Sequence, residues 1–576
     1  MRFLRTVWKL LGNHRRAFVW LALGSVLYEA LKACSPYLVG AAVDAIVASS
    51  GANFVRVLQC IAGVAAIDAV TTGLDVYFDR SVLKFLYGVE SDVHFAANEH
   101  ALARSLAFHE REQAGRLLTR IDRGSSKLLE FLMDATWQGM PTLIQLVVTF
   151  IAMALVDLDV ALAYAVFVPI FLAIAVRQQQ REQPLRRERH ERYEDAGAQL
   201  DESIWNILTV QSFGREGAAS AKYRAIYHAI VALGKRQFVI GTRFNAGKSV
   251  IINIGRITIF CFAAWKAKQG TATVGDVVLL FTLSEKAFIS CFHLSKVLER
   301  IADARESVAR LATFLDEAPE ITDASDAIAP TLSGGIAFDG VSFQYGADGG
   351  AVLQGVSFDV RAGETVAFAG PSGGGKSTIV KLLFRHYDPT AGRVLLDAHD
   401  ARTLARAAFR QQLGYVPQEG QLFSGTVAEN IRFGKPDATD AEVAEAAALA
   451  GATEFIARLP QRLGTVIGEQ GVKLSGGQRQ RICIARAVVG KPKVLVFDEA
   501  TSALDVETEH VIQDALRRLQ GTTTIILIAH RLSTIQHANR ILVVEDGRIV
   551  EEGSHAQLLR KNGLYQRLVH LQRSAA

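Results

Sequence analysis

The sequence contains few cysteines and carries little net charge. Its 5 cysteines among 576 residues show neither the paired spacing of disulfides nor the spacing of metal ligands, and most lie in apolar stretches. Cysteine in such surroundings behaves as a small hydrophobic side chain. The formal net charge is only +5, which indicates no nucleic acid or other charged polymer as a partner. The composition therefore argues against a disulfide framework, a cysteine metal site and a nucleic-acid-binding role.

A cleavable signal peptide is not indicated either. An apolar run follows Arg15 and Arg16, but it is too long for a signal peptide, and no small-residue cleavage pattern comes after it. We expect this run to remain in the mature chain.

Hydrophobic residues, in contrast, are abundant and unevenly placed. They make up 50% of the chain, the mean hydropathy is +0.19, and the excess lies in the first half. The six apolar segments lie near residues 17–47, 54–78, 138–156, 160–176, 244–265 and 274–294. Each can supply, alone or slightly extended, the roughly 20 helical residues that cross a bilayer. The pattern predicts an all-α transmembrane domain of six helices within residues 1–315.

The loops between these segments alternate between short and long. The long loops, roughly 79–137 and 177–243, are helical in pattern and dense in charge. Cationic loops stay in the cytoplasm, so we expect the N-terminus and both long loops inside, although Lys266 and Lys268 on an outer loop go against the rule. Most of these charges are expected to form solvated helix faces. Because long loops usually have a function, they also predict cytoplasmic extensions of the helices that touch a cytoplasmic domain.

The second half of the chain reads as a soluble α/β domain over residues 331–576, after a polar, proline-containing linker at 316–330. A short apolar strand at 365–369 leads into a glycine-rich octet, after which a helix is expected from Thr378. The octet is Gly370, Pro371, Ser372, Gly373, Gly374, Gly375, Lys376 and Ser377. This order of glycines, lysine and hydroxyl after a strand is typical of the phosphate-binding loop of nucleotide hydrolases. Lys376 would reach the β- and γ-phosphates, and Ser377 would hold Mg²⁺.

A second apolar strand, at 494–497, ends in two carboxylates. Asp498 suits a Mg²⁺ contact, and Glu499 is placed to activate the attacking water as a general base. An acidic pair at a strand end is weak evidence alone. Together with the upstream phosphate loop it predicts an ATPase.

A further motif precedes this strand and opens a helix. It consists of Leu474, Ser475, Gly476, Gly477 and Gln478. With it, the sequence resembles the ATP-binding cassette (ABC) superfamily over its whole length, in the half-transporter layout of the exporter-type (type IV) branch. The resemblance implies coupling helices near residues 106–115 and 203–213.

The resemblance also implies roles for residues outside the three motifs. Tyr345 would stack on adenine, Gln418 would touch Mg²⁺, and His530 would contact the γ-phosphate and join Glu499 and Lys376 as a catalytic residue. The loop that crosses the dimer interface would be Ser502, Ala503, Leu504 and Asp505.

Two positions depart from the family pattern. Gln470 stands where exporters more often have arginine, which could soften the contact with the membrane domain, and Ala398 stands where glycine is usual.

The glycine-rich signature also bears on oligomeric state. It is a second anion site at a helix N-terminus, although Lys376 already serves the chain's own phosphate loop. Such a site makes sense when it serves ATP held by a partner. The resemblance thus implies ATP and Mg²⁺ as ligands and a second half-transporter, with the two ATPase domains head to tail. A homodimer is the simplest assembly, since both half-sites are present on one chain; a heterodimer stays open.

Polar side chains within the spans bear on the substrate, because they are costly in a membrane. The candidate lining residues on spans five and six are Asn245, Lys248, Ile252, Asn253, Arg256, Glu285 and Lys286. Their cations predict an amphipathic or anionic substrate such as a lipid, conjugate, peptide or drug. Pairing of these cations with Glu29, Asp68 and Asp75 is an equal alternative, and Glu29 with Lys32 has the spacing of a helical pair.

Other functions share part of this sequence pattern. A soluble cassette ATPase would have no use for six apolar spans, and a channel or regulatory relative often loses catalytic residues that this chain keeps. Because the first span begins near the start of the chain, no N-terminal peptidase domain is expected, which disfavours the peptide-processing exporters. An importer on the exporter scaffold stays open, because sequence does not fix the direction of transport.

Overall fold

The computed structural model describes residues 2–48, 51–112, 114–346, 349–418, 420–468, 473–498, 506–528 and 535–575. It divides into two compact units, one of Met1–Leu102 with Gln113–Ala318 and one of Ala103–Glu112 with Pro319–Ala576. The domain limits drawn from the sequence stay predictions.

The described elements before residue 317 are helices. They are α1 (Arg2–Leu10), α2 (Arg15–Val47), α3 (Gly51–Ala103), α4 (Leu106–Arg111), α5 (Ala114–Asp134), α6 (Met140–Val156), α7 (Leu158–Trp205), α8 (Ile207–Ser212), α9 (Glu216–Lys268) and α10 (Val274–Asp316). A π-helical segment, Ala135–Gly139, joins α5 to α6. The short helices α4 and α8 lie at the two predicted coupling segments.

Six helical stretches in the described part of the chain are long and apolar enough to cross a membrane. They are Gly12–Val47, Phe54–Ala103, Leu117–Val156, Leu158–Trp205, Glu216–Lys268 and Val274–Asp316. A helix of 50 residues is about 75 Å long at 1.5 Å per residue, more than twice the about 30 Å of a hydrocarbon core. The predicted six-helix transmembrane domain with long helical extensions is therefore confirmed.

Two apolar clusters hold the first unit together. One gathers Tyr164 and Phe171 of α7, Ile259 of α9 and Phe288 of α10, all fully buried. The other packs α1, α3, α5 and α10 around residues such as Leu128. Large apolar side chains elsewhere on the spans are exposed, as expected for helices whose surroundings are lipid rather than water.

The charged segment 177–192 is only partly a solvated face. The guanidinium of Arg186, whose side chain is 10% exposed, pairs with Glu182 at 2.8 Å and with Glu299 and Asp303 of α10 at 2.6 and 3.0 Å. A buried cation needs such partners, because leaving it unpaired is costly. These ion pairs fasten α7 to α10.

The second unit contains the strands. They are β1 (Ile336–Gln344), β2 (Ala351–Val360), β3 (Thr365–Ala369), β4 (Ala391–Leu396), β5 (His399–Asp400), β6 (Leu413–Val416), β7 (Gly425–Thr426), β8 (Val466–Ile467), β9 (Val494–Asp498), β10 (Thr524–Ile528), β11 (Arg540–Glu545) and β12 (Arg548–Gly553). The main sheet has the order β12-β11-β3-β10-β9-β6, and a second sheet has the order β2-β1-β4-β5. Pairing from β11 through β6 is parallel, whereas β12 and the second sheet are antiparallel.

Helices cover this sheet. They are α11 (Lys376–Leu383), α12 (Arg406–Arg410), α13 (Val427–Arg432), α14 (Asp440–Leu449), α15 (Thr453–Arg458), α16 (Gly476–Val488), α17 (Val506–Leu519), α18 (His555–Arg560) and α19 (Leu564–Ala575). The strands β3, β9 and β10 are buried along their whole length, as parallel strands between helices are. The predicted α/β ATPase domain is confirmed, and the carboxyl ends of its parallel strands form the edge that carries the site.

Candidate functional site

The glycine-rich loop connects β3 to α11 through glycines with positive φ. Gly370, Gly373 and Gly375 have φ of +143°, +81° and +100°, a region that favours glycine. A Cβ on Gly370 would lie 2.0 Å from the carbonyl oxygen of Val544, so no side chain fits there. Because Gly375 is the N-cap, α11 begins at Lys376 rather than at Thr378 as predicted.

Lys376 folds back over this loop. Its side chain is buried, and its Nζ donates to the carbonyl oxygens of Gly370 at 3.0 Å and Pro371 at 2.8 Å. The ammonium therefore stands at the mouth of the loop, where an anion bound by the loop's N–H groups would meet it. Pro371, Ser372 and Gly373 are exposed, whereas Gly374 and Gly375 are buried.

Ser377 and Asp498 meet at the same edge of the sheet. The Ser377 hydroxyl donates to Asp498 Oδ1 at 3.3 Å, and Asp498 is 8% exposed. Two neighbouring ligands of octahedral Mg²⁺, each at about 2.1 Å, stand about 3 Å apart. The spacing of the two oxygens therefore fits two ligands of one Mg²⁺ ion. Gln418, the third predicted ligand, is exposed two residues after β6.

Tyr415 is a neighbour of this pair that the sequence interpretation did not assign. Its hydroxyl donates to Asp498 Oδ2 at 3.3 Å. Burial and the adjacent carboxylate raise the pKa of Tyr415, so it remains a donor at neutral pH. Its place in the stretch Tyr415–Gln418, which carries a predicted ligand, was the available signal.

Tyr345 lies against the start of α11. Its hydroxyl is 3.1 Å from Thr378 Oγ1. The rings of Phe343 and Tyr387 stand edge-on to it, with centroids at 4.9 and 5.2 Å, and Lys381 Nζ lies 5.3 Å from its centroid. The structure thus brings the predicted adenine residue beside the phosphate loop.

The signature residues form a capped and exposed helix N-terminus. Ser475 Oγ accepts from the N–H of Gln478 at 3.2 Å, and Gln478 Oε1 accepts from the N–H of Ser475 at 3.0 Å. Leu474 is buried, whereas Ser475 and Gly476 are exposed and Gly477 is half-buried. Farther along α16, Gln480 donates to the carbonyl oxygen of Pro417 at 3.1 Å, next to Gln418.

Several predicted site residues lie outside the described part of the chain. They are Glu499, His530, and the loop Ser502, Ala503, Leu504 and Asp505. Gln470, which departs from the family pattern, also lies outside it.

The predicted substrate-lining residues of span five do not all lie in the same environment. Lys248 is 3% exposed; its Nζ donates to Ser295 Oγ at 3.0 Å and lies between the rings of Phe171 and Phe292, 5.8 and 5.4 Å from their centroids. Ile252 is buried as well, whereas Asn245 and Asn253 are exposed.

A second cation of span five is paired with a carboxylate of span six. Arg256 Nη2 lies 3.3 Å from Glu285 Oε1. Pairing within the membrane domain therefore accounts for Arg256 and Glu285, although the partner is not among the acidic residues of spans one and two.

A small cavity lies among spans one, three and six. Its lining residues are Glu29, Lys32, Ala33, Gln145, Val148, Thr149, Leu283 and Lys286. Of the seven predicted substrate residues, Lys286 lies on it. Gln145, which accepts a hydrogen bond from Ser290 Oγ at 2.5 Å, was missed, because one glutamine in an apolar run gives no signal of its own.

Comparison with known proteins gives matches over the whole chain. The model of the ABC transporter family matches residues 353–502, and the model of the ABC transporter transmembrane region matches residues 18–290. An ATM1-type heavy metal exporter of Novosphingobium aromaticivorans is 36% identical over 560 residues, which cover 96% of this chain and 91% of that protein. A putative multidrug export ATP-binding/permease protein of Staphylococcus aureus is 33% identical over 580 residues, or 97% of each chain.

A solved structure agrees with these matches. It is described as a bacterial Atm1-family ABC exporter with ATP bound, and it has a TM-score of 0.86 and 34% identity, covering 98% of this chain and 99% of that one. Half-transporters of this family work as dimers. The fused membrane and ATPase regions, the six apolar helices and the exporter relatives together describe an ATP-hydrolysing, multi-pass protein of the bacterial plasma membrane. The chain therefore belongs to the ABC transporter family, in its exporter group.

Proposed function

We propose that two copies of this chain form a homodimer that exports an amphipathic or anionic substrate by alternating access. The observation that carries the proposal is the exposed N-terminus of α16, a helix of 13 residues, with Ser475 as its cap. The Ser475 oxygen already accepts from Gln478, so its hydroxyl hydrogen can be donated outwards. Such an N-terminus attracts a phosphate.

In this proposal the ATP that α16 meets belongs to the partner subunit. Each phosphate loop, with Lys376, binds one triphosphate, and Ser475 and Gly477 of the other copy close over it. Two ATP molecules then hold the ATPase domains head to tail, and hydrolysis releases them. Populations of inward- and outward-open states shift accordingly.

In this proposal, the residues of the nucleotide site have separate roles. Tyr345 stacks on adenine, and Lys376 neutralises charge on the β- and γ-phosphates. Ser377, Asp498 and Gln418 hold Mg²⁺, which polarises the phosphates when it is bound. Glu499 takes the proton of the attacking water, and His530 contacts the γ-phosphate.

An exposed apolar segment also supports assembly. Around α8, Trp205 is 91% exposed, Leu208 77% and Phe213 75%. Exposed apolar groups of this size mark contact surfaces. We propose that the partner subunit covers them.

The cavity among spans one, three and six supports the substrate class. Its lining places the cations Lys32 and Lys286 with Glu29, Gln145 and Thr149 beside apolar walls, and the carboxylates of Asp68 and Asp75 act on the same two lysines. We propose that these lysines meet the anionic group of a substrate that passes between the spans, because charged side chains inside spans usually mark a substrate path. Export is favoured over import, because the relatives are described as exporters.

Inside-out membrane vesicles test this function directly. We expect ATP-dependent accumulation of an anionic amphipathic fluorophore, less of a cationic one of the same size, and none with the Glu499→Gln variant. A broader screen would compare ATPase stimulation by lipids, glutathione conjugates, peptides and drugs. Equal accumulation of both fluorophores would contradict the substrate class, and uptake restricted to right-side-out vesicles would contradict export.

A further inference from the structure

The short helix α4 is attached to the ATPase unit through one glutamate. Glu110 Oε1 accepts from Lys381 Nζ at 2.7 Å, and Glu110 Oε2 accepts from the Tyr387 hydroxyl at 2.6 Å. Both carboxylate oxygens are therefore used, by two residues that lie at and just after the end of α11. Charge-assisted hydrogen bonds of this length are among the stronger ones.

Both partners of Glu110 also contact Tyr345. Lys381 Nζ lies 5.3 Å from the centroid of the Tyr345 ring, and the Tyr387 ring stands at 89° to it with centroids 5.2 Å apart. Lys381 Nζ lies 5.9 Å from the Tyr387 centroid as well. The three side chains thus form one cluster with Glu110 at its α4 end.

The protonation states suit a permanent contact. Burial alone would raise the pKa of Glu110, but hydrogen bonds from Lys381 and Tyr387 outweigh it and hold that pKa below its usual value. For Lys381, burial acts to lower the pKa, but the hydrogen bond to Glu110 leads the contributions that raise it. Carboxylate and ammonium are therefore both charged at neutral pH.

A second attachment of α4 does not involve Tyr345. Arg111 Nη2 lies 2.8 Å from Glu320 Oε1, and the Ser105 hydroxyl also donates to Glu320. The chain therefore offers a matched comparison, with neighbouring residues of α4 serving different attachments.

We infer that Glu110 is a positioning residue for the adenine-binding Tyr345, acting through Lys381 and Tyr387. While Glu110 holds Lys381 and Tyr387 in place, their contacts fix the orientation of the Tyr345 ring for stacking on a base. Without the carboxylate, both side chains can change rotamer, and the orientation of the ring is no longer fixed. ATP affinity then depends on α4 through the base and not through the phosphates. By thermodynamic reciprocity, bound ATP strengthens the attachment of α4. The inference rests on the proposed role of Tyr345.

A double-mutant cycle on the full-length protein in lipid nanodiscs tests this inference. The measurement is the Kd for MgATP of wild type, Glu110→Gln, Tyr345→Ala and the double variant. We expect Tyr345→Ala to raise Kd about tenfold, the size of one base–aromatic stack. Since the Glu110–Lys381 pair is partly exposed, Glu110→Gln should raise Kd about threefold. In the Tyr345→Ala background, Glu110→Gln should change Kd by less than about 1.5-fold.

The other outcomes are distinguishable. Equal increases from Glu110→Gln in both backgrounds, or no increase in either, would overturn the positioning role while leaving Tyr345 as the adenine residue. If Tyr345→Ala left Kd unchanged, the proposed role of Tyr345 would fail and the inference with it. Tyr387→Phe, which removes one donor to Glu110 without altering charge, should give a smaller change in the same direction.

Arg111→Gln is the control for loosening of α4 in general. It removes the ion pair of Arg111 with Glu320 and leaves the contacts of Glu110 in place. We expect any effect of Arg111→Gln on Kd to be the same in the wild-type and Tyr345→Ala backgrounds. An effect as large and as dependent on Tyr345 as that of Glu110→Gln would contradict a specific role of Glu110.

Discussion

The functional groups of the phosphate loop and those of the membrane spans are held in position in different ways. In the loop, backbone conformation sets their positions: positive φ at Gly370 and Gly375 turns the chain, and α11 starts at Lys376. In the spans, contacts between side chains of separate helices set them, as when Arg256 of α9 pairs with Glu285 of α10. A local motif can therefore reveal the first kind of site, whereas the second depends on how each helix is rotated about its axis.

The largest effect is expected at the nucleotide site, which the local sequence motifs predicted. Glu499→Gln keeps the size of the side chain but removes the general base, so turnover should fall by roughly 10²–10⁴ while ATP still binds. Steady-state ATPase activity and nucleotide binding measure the two parts. Glu454→Gln, an exposed glutamate on α15, is the control and should hydrolyse ATP normally. Near-normal hydrolysis by Glu499→Gln would refute its role.

Two glycine variants separate backbone strain from lack of space in the loop. Both positions have positive φ, but a Cβ on Gly370 would strike the Val544 carbonyl, whereas a Cβ on Gly373 meets nothing within 4 Å. Gly370→Ala should lower ATPase activity by about 100-fold or more, equivalent to about 3 kcal/mol. Gly373→Ala should lower activity less, because it adds only the cost of placing an alanine in the left-handed region, about 1–2 kcal/mol. Similar activity of the two variants would show that the space behind Gly370 does not matter.

Replacing each of two cations in the spans by methionine tests the groups that are held in position by contacts between helices. Lys286→Met removes a charge from the cavity and should raise the KM for an anionic substrate by about tenfold, the effect of about 1.4 kcal/mol, with little loss of stability. Arg256→Met leaves Glu285 without its ion pair and should lower Tm by about 2–4 °C.

The control for Arg256 is the double variant Arg256→Met with Glu285→Met. Removing both charges should recover much of the lost Tm, because no unpaired carboxylate remains. If instead Arg256→Met raised the substrate KM and Lys286→Met did not, the assignment of these two cations would be reversed.

The smallest expected effect concerns a histidine of the ATPase unit. Burial, then the positive charges of Arg410 and Lys381, lower the pKa of His386 to about 4, with Glu110 opposing them. The unfolded chain binds this proton below about pH 6.5, so stability should fall between about pH 6.5 and 4, by at most about 1.4 kcal/mol per pH unit. His386→Gln should therefore reduce the loss of Tm between pH 7 and 5 by about 2 °C. The exposed His399 supplies the control, since His399→Gln should leave that loss unchanged.

Sequence patterns predicted the fold and the nucleotide loop because both depend on local regularities. Six apolar runs gave the spans, and the strands before Gly370 and Asp498 gave the buried sheet. Contacts between distant residues are not marked by such regularities, as with Gln145 on the cavity and Glu110 reaching Lys381 and Tyr387. For Tyr415 beside Asp498, the signal was its place in the stretch Tyr415–Gln418. The start of α11 was placed two residues late because the cap at Gly375 depends on its dihedral angles rather than on residue type.

Mixed dimers test most directly whether one subunit's Ser475 serves the ATP of the other. The dimers are purified through two different tags. In the first, one subunit carries Lys376→Met and its partner carries Ser475→Arg, which leaves one composite site intact if sites form between subunits. In the second, one subunit carries both changes and its partner is wild type, so both composite sites are damaged. The account predicts faster ATP hydrolysis by the first dimer than by the second; the opposite order would show that each chain completes its own site.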